Sequence, residues 1–370
     1  MTNKKVSAGP TKLYIINTIT GDIRVEAAIF DLIDNSINAA ETSKYPKRLS
    51  EFYVNLRIDK STFAITDNCG GISKEKALGD AFKIGSSLED EGGHGIGLKR
   101  AFLKFGKDIK ISSNRNDYSF SVTMDVERWG KENNWDLLIN EVKYNEVSAN
   151  GVTISVKHFY DNISRDFSRA GFIENLKNEI AVRYRFKLKS GFVIKVNDEE
   201  IKPIFVEGDK VAESPTYIKN GMNIKVILYN NVDTKANGWD IIINGRVILH
   251  RDKSQKTLWR KKLIKTGCSY ESFVGEVLIN SDNIKNLPVL STKDDIVTSS
   301  KAYSDILDCM YSFIDKHRDK FKKSEVTIQY SRPWDKVEKL KDLFNVDTAK
   351  ETGERSFDNM VIYMVKDKEK

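Results

Sequence analysis

Residues 26–38, EAAIFDLIDNSIN, place Ala28, Ile29, Leu32, Ile33 and Ile37 at helical spacing, which predicts a helix that buries one face. Asp31, Asn35 and Asn38 recur at i, i+4 and i+7 and line up along a second stripe. Two readings fit that stripe. One is a solvated helix face; the other is a site where an acid orients water and an amide oxygen holds a hard cation. Upstream, the apolar run 13–19 before Gly21-Asp22 predicts a short strand. Downstream, Phe52, Val54, Leu56 and Ile58 alternate strictly, as do Phe63 and Ile65 after Asp59-Lys60-Ser61, predicting a hairpin that ends at Thr66.

Alternation returns at 109–112 and 118–124, and residues 125–149 are polar with two tryptophans, which predicts an inserted hairpin. Residues 170–187 carry Ile173, Leu176, Ile180 and Tyr184 on a helical face. Strands follow at 192–196, before the Asn197-Asp198 turn, and at 222–229. The sharpest hairpin is 239–249, where Asn244-Gly245 supplies the positive φ of a type I′ turn; another strand is predicted at 273–279. Residues 302–321 read as an amphipathic helix with Tyr303, Ile306, Leu307, Met310, Phe313, Ile314 and Phe321 on one side. Ser331 and Pro333 open a short charged helix marked by Val337, Leu340, Leu343 and Phe344, suited to the core, a partner protein or a second protomer.

At 370 residues, 40% hydrophobic and 31% charged, the composition is that of a soluble globular protein of two domains and a tail. No apolar run approaches membrane-spanning length and the N-terminus lacks a signal-peptide core, which predicts a cytoplasmic protein with no membrane partner. Cys69, Cys268 and Cys309 are scattered, as expected of reduced thiols. There is no internal repeat, zinc spacing or Ser-His-Asp arrangement. The net charge of +7 permits a polyanionic partner without requiring one.

Two further stretches carry chemistry. Asp67-Asn68-Cys69-Gly70-Gly71-Ile72 follows the second hairpin strand; its glycines let backbone approach a flat ligand while the carboxylate accepts a hydrogen bond. The same residues also make an ordinary turn. After Gly85-Ser86-Ser87 comes Gly92-Gly93-His94-Gly95-Ile96-Gly97-Leu98-Lys99, too rich in glycine for a regular element, and then a helix over 98–105. A glycine loop opening onto a helix N-terminus is a phosphate cradle, with free N–H groups and the positive dipole end toward the anion.

In this order, the motifs over residues 11–160 resemble the GHKL ATPases: gyrase, the heat-shock chaperones of that class, histidine kinases and MutL. The resemblance implies an α+β protein whose Bergerat-fold α/β sandwich binds ATP. It implies Asn35 as the Mg²⁺ ligand, Asp67 with Gly71 and Ile72 at the adenine, and Thr153 in support of Asp67. Gly92, Gly93, His94, Gly95, Ile96, Gly97 and Leu98 would form the lid and phosphate loop, with Lys99 at the phosphates. Asp31 stands where relatives carry the glutamate that activates water. Three residues depart from the pattern. Asp31 is one methylene shorter than that glutamate, and Glu26, nine residues before Asn35, lies on the opposite face. Cys69 occupies the first glycine of the adenine motif, and in Gly151-Val152-Thr153 the threonine comes one residue late, on the other face of a regular strand.

The pattern after residue 160 resembles the transducer domain of gyrase, MutL and MORC proteins, in which a loop lysine reaches the γ-phosphate; Lys293, after Thr292, is the candidate. The expected organisation is therefore 1–160 ATP-binding, 161–330 transducer-like and 331–370 a charged tail with a short helix. The expected activity is Mg²⁺-dependent ATP hydrolysis in which ATP closes a lid and drives dimerisation or domain rotation, as in stand-alone bacterial MORC-like ATPases, some of which serve defence or chromosome transactions. The alternative is a nucleotide-gated or chaperone-like binding module with little turnover. Residues 250–262 place cations around Trp259, which suits a nucleic acid by phosphate contact and base stacking, or a solvated loop.

Overall fold

The computed structural model describes residues 9–42, 48–85, 97–146, 149–230, 232–233, 236–259, 270, 272–290 and 293–321. The short helix expected after Ser331 lies outside them. Met1–Lys322 forms one compact unit, inside which two sheets each carry a hydrophobic core.

The expected strand at 13–19 is instead helix α1, Lys12–Gly21. Thr11 caps it by accepting the Tyr14 N–H, and Thr18 and Thr20 return their hydroxyls to carbonyls four residues back, so the threonines accommodate helix. A tertiary contact completes it: the Lys12 ammonium donates to the Trp129 carbonyl at 2.7 Å and sits 4.1 Å over the Trp129 ring. The long predicted helix appears as α2, Val25–Glu41, and is buried on nearly every face, including Asp31, Asp34 and Ser36.

The alternating hairpin forms as β1, Tyr53–Ile58, and β2, Thr62–Asp67, antiparallel with Leu56 opposite Ile65. Asp59 shapes the turn by accepting the N–H groups of Ser61 and Thr62. Helix α3, Lys74–Leu78, follows, and α4, Gly97–Phe105, packs on α2 through Ala101, Phe102 and Leu103. Strands β3, Gly106–Asn114, and β4, Phe120–Asp125, come next. The region expected as an inserted hairpin holds helix α5, Val126–Lys131, and a short strand β5, Ile139–Glu141, which pairs with β4 rather than with a strand of its own. Strand β6, Gly151–Phe159, lies between β3 and β2.

Helices α6, Asp161–Ser168, α7, Phe172–Arg183, and α8, Arg185–Lys189, lead to β7, Val193–Val196, and β8, Glu199–Glu200. Strand β7 runs parallel to β1, with Leu56 opposite Val196, so the first sheet has the order β5-β4-β3-β6-β2-β1-β7-β8. Residue 160 thus has strands of this first sheet on both sides.

The second sheet contains β9, Asp209–Glu213, β10, Tyr217–Lys219, β11, Met222–Asn230, β12, Gly238–Ile243, β13, Arg246–Asp252, and β14, Val274–Asn280, in the order β10-β11-β14-β12-β13 with β9 on the edge of β11. Asn244 and Gly245 take φ of 47° and 78°, as the type I′ hairpin requires. Helix α9, Lys301–Asp315, covers this sheet with Ile306, Met310, Phe313 and Ile314 against Trp239 and its neighbours. A buried charge cluster ties α8 to the sheet: Arg185, 1% exposed, donates to Asp240 at 2.9 Å and Glu276 at 2.5 Å. Arg183 reaches the Val247 carbonyl and stacks 4.6 Å over Phe30, bringing α7, β13 and α2 together.

Candidate functional site

The polar stripe of α2 is divided, with Asp31 buried, Asn35 exposed and Asn38 between them. Asp31 is 5% exposed and its Oδ2 accepts from Arg100 Nη2 at 2.6 Å. Burial raises its pKa above the usual carboxylate range, opposed by the positive charges of Arg100, Arg246 and Lys293. One turn on, Asn35 is exposed and its side chain makes no hydrogen bond among the described residues, leaving its amide oxygen available to a cation. Asn38 is half-buried toward the helix end.

Asp67 closes β2 with both oxygens engaged. Its Oδ1 accepts the Cys69 N–H at 2.9 Å and the Val152 N–H at 3.3 Å; its Oδ2 accepts the Ser36 hydroxyl at 2.9 Å. A carboxylate offers about four acceptor directions, so one remains on Oδ2, enough for a single exocyclic amine. Burial pushes the Asp67 pKa up against these three bonds. Gly151 permits this packing, since a Cβ there would fall 1.9 Å from the Asp67 carbonyl oxygen. The positive φ values fall on Gly70 (106°) and Gly71 (72°), so Cys69 needs no glycine conformation and buries its side chain instead. Gly71 lies against the Asn114 carbonyl, and the Ile72 N–H donates to Ser113 Oγ at 2.8 Å. Thr153 sits opposite Thr66 with their hydroxyls 3.1 Å apart, so Val152 and Ser36 hold Asp67 in its place.

Of the glycine segment, Gly92, Gly93, His94, Gly95 and Ile96 lie outside the described residues. Gly97 starts α4 directly against Asp31, and Leu98 packs partly on the first core. Lys99 is buried, with its ammonium 3.5 Å from the Asp80 carbonyl.

The second sheet and the segment after it bring cations to the other flank of the stripe. Lys293 Nζ lies 3.6 Å from Asp34 Oδ2, and Arg246, the first residue after the Asn244-Gly245 turn, contacts the same oxygen. Tyr184 donates to Asp34 Oδ1 at 2.9 Å and to the Phe30 carbonyl at 3.1 Å. Lys293 holds φ of 50°, uncommon for a residue with a side chain and more frequent at functional positions. Burial and the neighbouring Arg246 draw its pKa down to about 8 against the opposing pull of Asp31. Burial likewise brings Arg246 to about 10. Sequence reasoning missed Arg100, Asp34, Ser36, Tyr184 and Arg246. Asp34 stands beside Asn35 and Arg246 beside the turn, but their partners come from distant segments.

The basic stretch 250–262 departs from expectation at Trp259, which is 6% exposed and packs 5.8 Å from the Phe273 ring, so it cannot stack on a base. Arg251 pairs with Asp240, Lys253 with Asn237 and Lys256 with Asp295. Arg260, Lys261 and Lys262 lie outside the described residues. Cys69 and Cys309 are buried free thiols. Among the described residues no group of three or more His, Cys, Asp or Glu side chains gathers to hold a metal, and no helix is long and apolar enough to cross a membrane.

Residues 23–155 match the family model described as "Histidine kinase-, DNA gyrase B-, and HSP90-like ATPase". The match runs from just before α2 to β6 and so takes in Asp31, Asn35, Asp67 and Gly97; it supports membership of the ATP-binding GHKL superfamily. The fold is accordingly α+β, a Bergerat-type α/β sandwich with a second mixed α/β sheet following it. A search of curated proteins finds no match to this chain.

Proposed function

We propose that the protein is a Mg²⁺-dependent ATPase whose second sheet domain senses the γ-phosphate. The observation that carries this reading is Lys293: the segment after β14 delivers its ammonium to α2, 3.6 Å from Asp34 and in the field of Asp31. The residues suit the ligands. Asp67 keeps one acceptor for the adenine amino group, and Asn35 presents an unengaged amide oxygen. With no carboxylate cluster beside it among the described residues, Asn35 suits a cation held mainly by phosphate oxygens. Such a cation would neutralise charge on the phosphates.

In this scheme Asp31 orients and deprotonates the attacking water. Lys293 stabilises the negative charge that builds at the phosphoryl group. A lysine lent by the second domain also makes the domain arrangement depend on which nucleotide is bound, because only the triphosphate offers the contact. Coupling to dimerisation is the natural output, as in MORC-like ATPases; action on nucleic acid or in bacterial defence rests on that likeness alone.

The pairing of Asp31 with Arg100 favours a second reading, a nucleotide-gated module with little turnover. Single-turnover hydrolysis of radiolabelled ATP, with and without Mg²⁺, decides between them. Metal-dependent phosphate release that is lost in Asp31→Asn supports the ATPase; tight binding with no release supports the gated module.

A further inference from the structure

Arg100 and Gly97 lie one turn apart on α4, and both meet Asp31. The guanidinium Nη2 is 2.6 Å from Asp31 Oδ2, with the two side chains only 8% and 4% exposed. A Cβ on Gly97 would come within 3.4 Å of the Asp31 Cγ. Two charges removed from water in this way are tolerated only when they satisfy each other, so this is not an incidental surface pair. The Arg100 Nε finds no partner among the described residues, which leaves Asp31 as the group that fixes the guanidinium.

We propose that Arg100 is a positioning residue that holds the Asp31 carboxylate in one orientation and ties it to α4, so that the helix leaving the glycine segment sets where the base stands. The shortened side chain gives this a purpose. An aspartate has one fewer rotatable bond than a glutamate, so its carboxylate goes where its backbone and its partner direct it. A charge-assisted hydrogen bond from a planar guanidinium fixes both distance and angle.

The inference rests on the reading of Asp31 as the base, and the experiment separates the two. Steady-state ATP hydrolysis and affinity for a non-hydrolysable ATP analogue are measured for the parent, Arg100→Gln, Arg100→Lys, Asp31→Asn and the Arg100→Gln/Asp31→Asn double variant, with thermal melting to confirm folding. Arg100→Gln should lower kcat about 10- to 100-fold with KM and analogue affinity nearly unchanged. Arg100→Lys, which keeps the charge, should recover part of the loss. In the Asp31→Asn background, Arg100→Gln should change residual turnover less than about twofold, because a residue acting through another has nothing left to position. Equal losses in both backgrounds, or a rise in KM at constant kcat, would overturn the inference and make Arg100 a binding or structural residue. If Arg100→Gln does not fold, a kcat for Arg100→Lys equal to the parent's, or equally reduced in both backgrounds, overturns it as well. A parent whose turnover is unaffected by Asp31→Asn overturns the base reading itself.

Discussion

Lys293 and Asp34 form an ion pair at 3.6 Å between the segment after the second sheet and helix α2. Arg246 touches the same Asp34 oxygen, and Tyr184 holds the other. One carboxylate on α2 therefore gathers groups from three distant segments. It does so beside the two residues, Asp31 and Asn35, on which the proposed chemistry depends.

Removing the Lys293 ammonium should leave ATP binding nearly normal and lower kcat by about 100-fold, the usual loss when one donor to a developing charge is deleted. Lys293→Ala should also fail to change its scattering profile with a non-hydrolysable analogue. Parent-like turnover and a parent-like profile would make Lys293 an ordinary lysine.

The lowered Lys293 pKa predicts a basic limb. The cationic form predominates below about 8 and is lost as pH rises through that value, so kcat/KM should fall about tenfold per unit well beyond it. An arginine stays charged over this range. Lys293→Arg, if it retains activity, should therefore flatten the limb, and a pH–rate profile from 6 to 10 checks this.

Asn35→Ala should abolish Mg²⁺-dependent ATP affinity, since a metal with few protein ligands cannot spare one. Titration calorimetry with and without Mg²⁺ reads the difference, and equal metal dependence in both proteins would remove Asn35 from the site.

Asp67→Asn should weaken ATP binding by about 10- to 100-fold, the worth of a hydrogen bond to a charged acceptor, and blunt the preference for ATP over GTP. Ser36→Ala removes only one of the three bonds that orient Asp67. It should cost about 1 kcal/mol of binding. Competition by the two nucleotides against a fluorescent analogue measures both.

Arg185→Ala takes the shared guanidinium from two buried carboxylates, Asp240 and Glu276, and should destabilise the fold by about 3 kcal/mol, read by urea unfolding. Asp240 is held at about 2: burial raises it, but His250, Arg185 and Arg251 more than offset that. Its contribution to stability is therefore present above the ordinary aspartate value and is lost as pH falls from about 4 toward 2. Arg185→Ala removes one of the charges that lower the Asp240 value, so this acid-dependent loss should become smaller.

What the sequence determined by itself is what depends on near neighbours. The 3.6-residue period placed Asp31 and Asn35 one turn apart on α2. Strict alternation gave β1 and β2 and left Asp67 at a strand end. Asn244-Gly245 wrote its own turn, because few other pairs accept positive φ twice in succession. Tertiary structure decided the rest. Residues 13–19 are rich in strand-favouring side chains, yet Lys12 finds the Trp129 carbonyl 117 positions away and the segment closes as helix. Trp259, surrounded in sequence by cations, falls into the second core. The partner of Asp31 comes from 69 residues on, and the Tyr184 hydroxyl reaches Asp34 across 150. Periodicity can show that a carboxylate faces a given side of its helix. Only the packing of separate segments decides which buried charge it meets there, and burial makes that pairing obligatory.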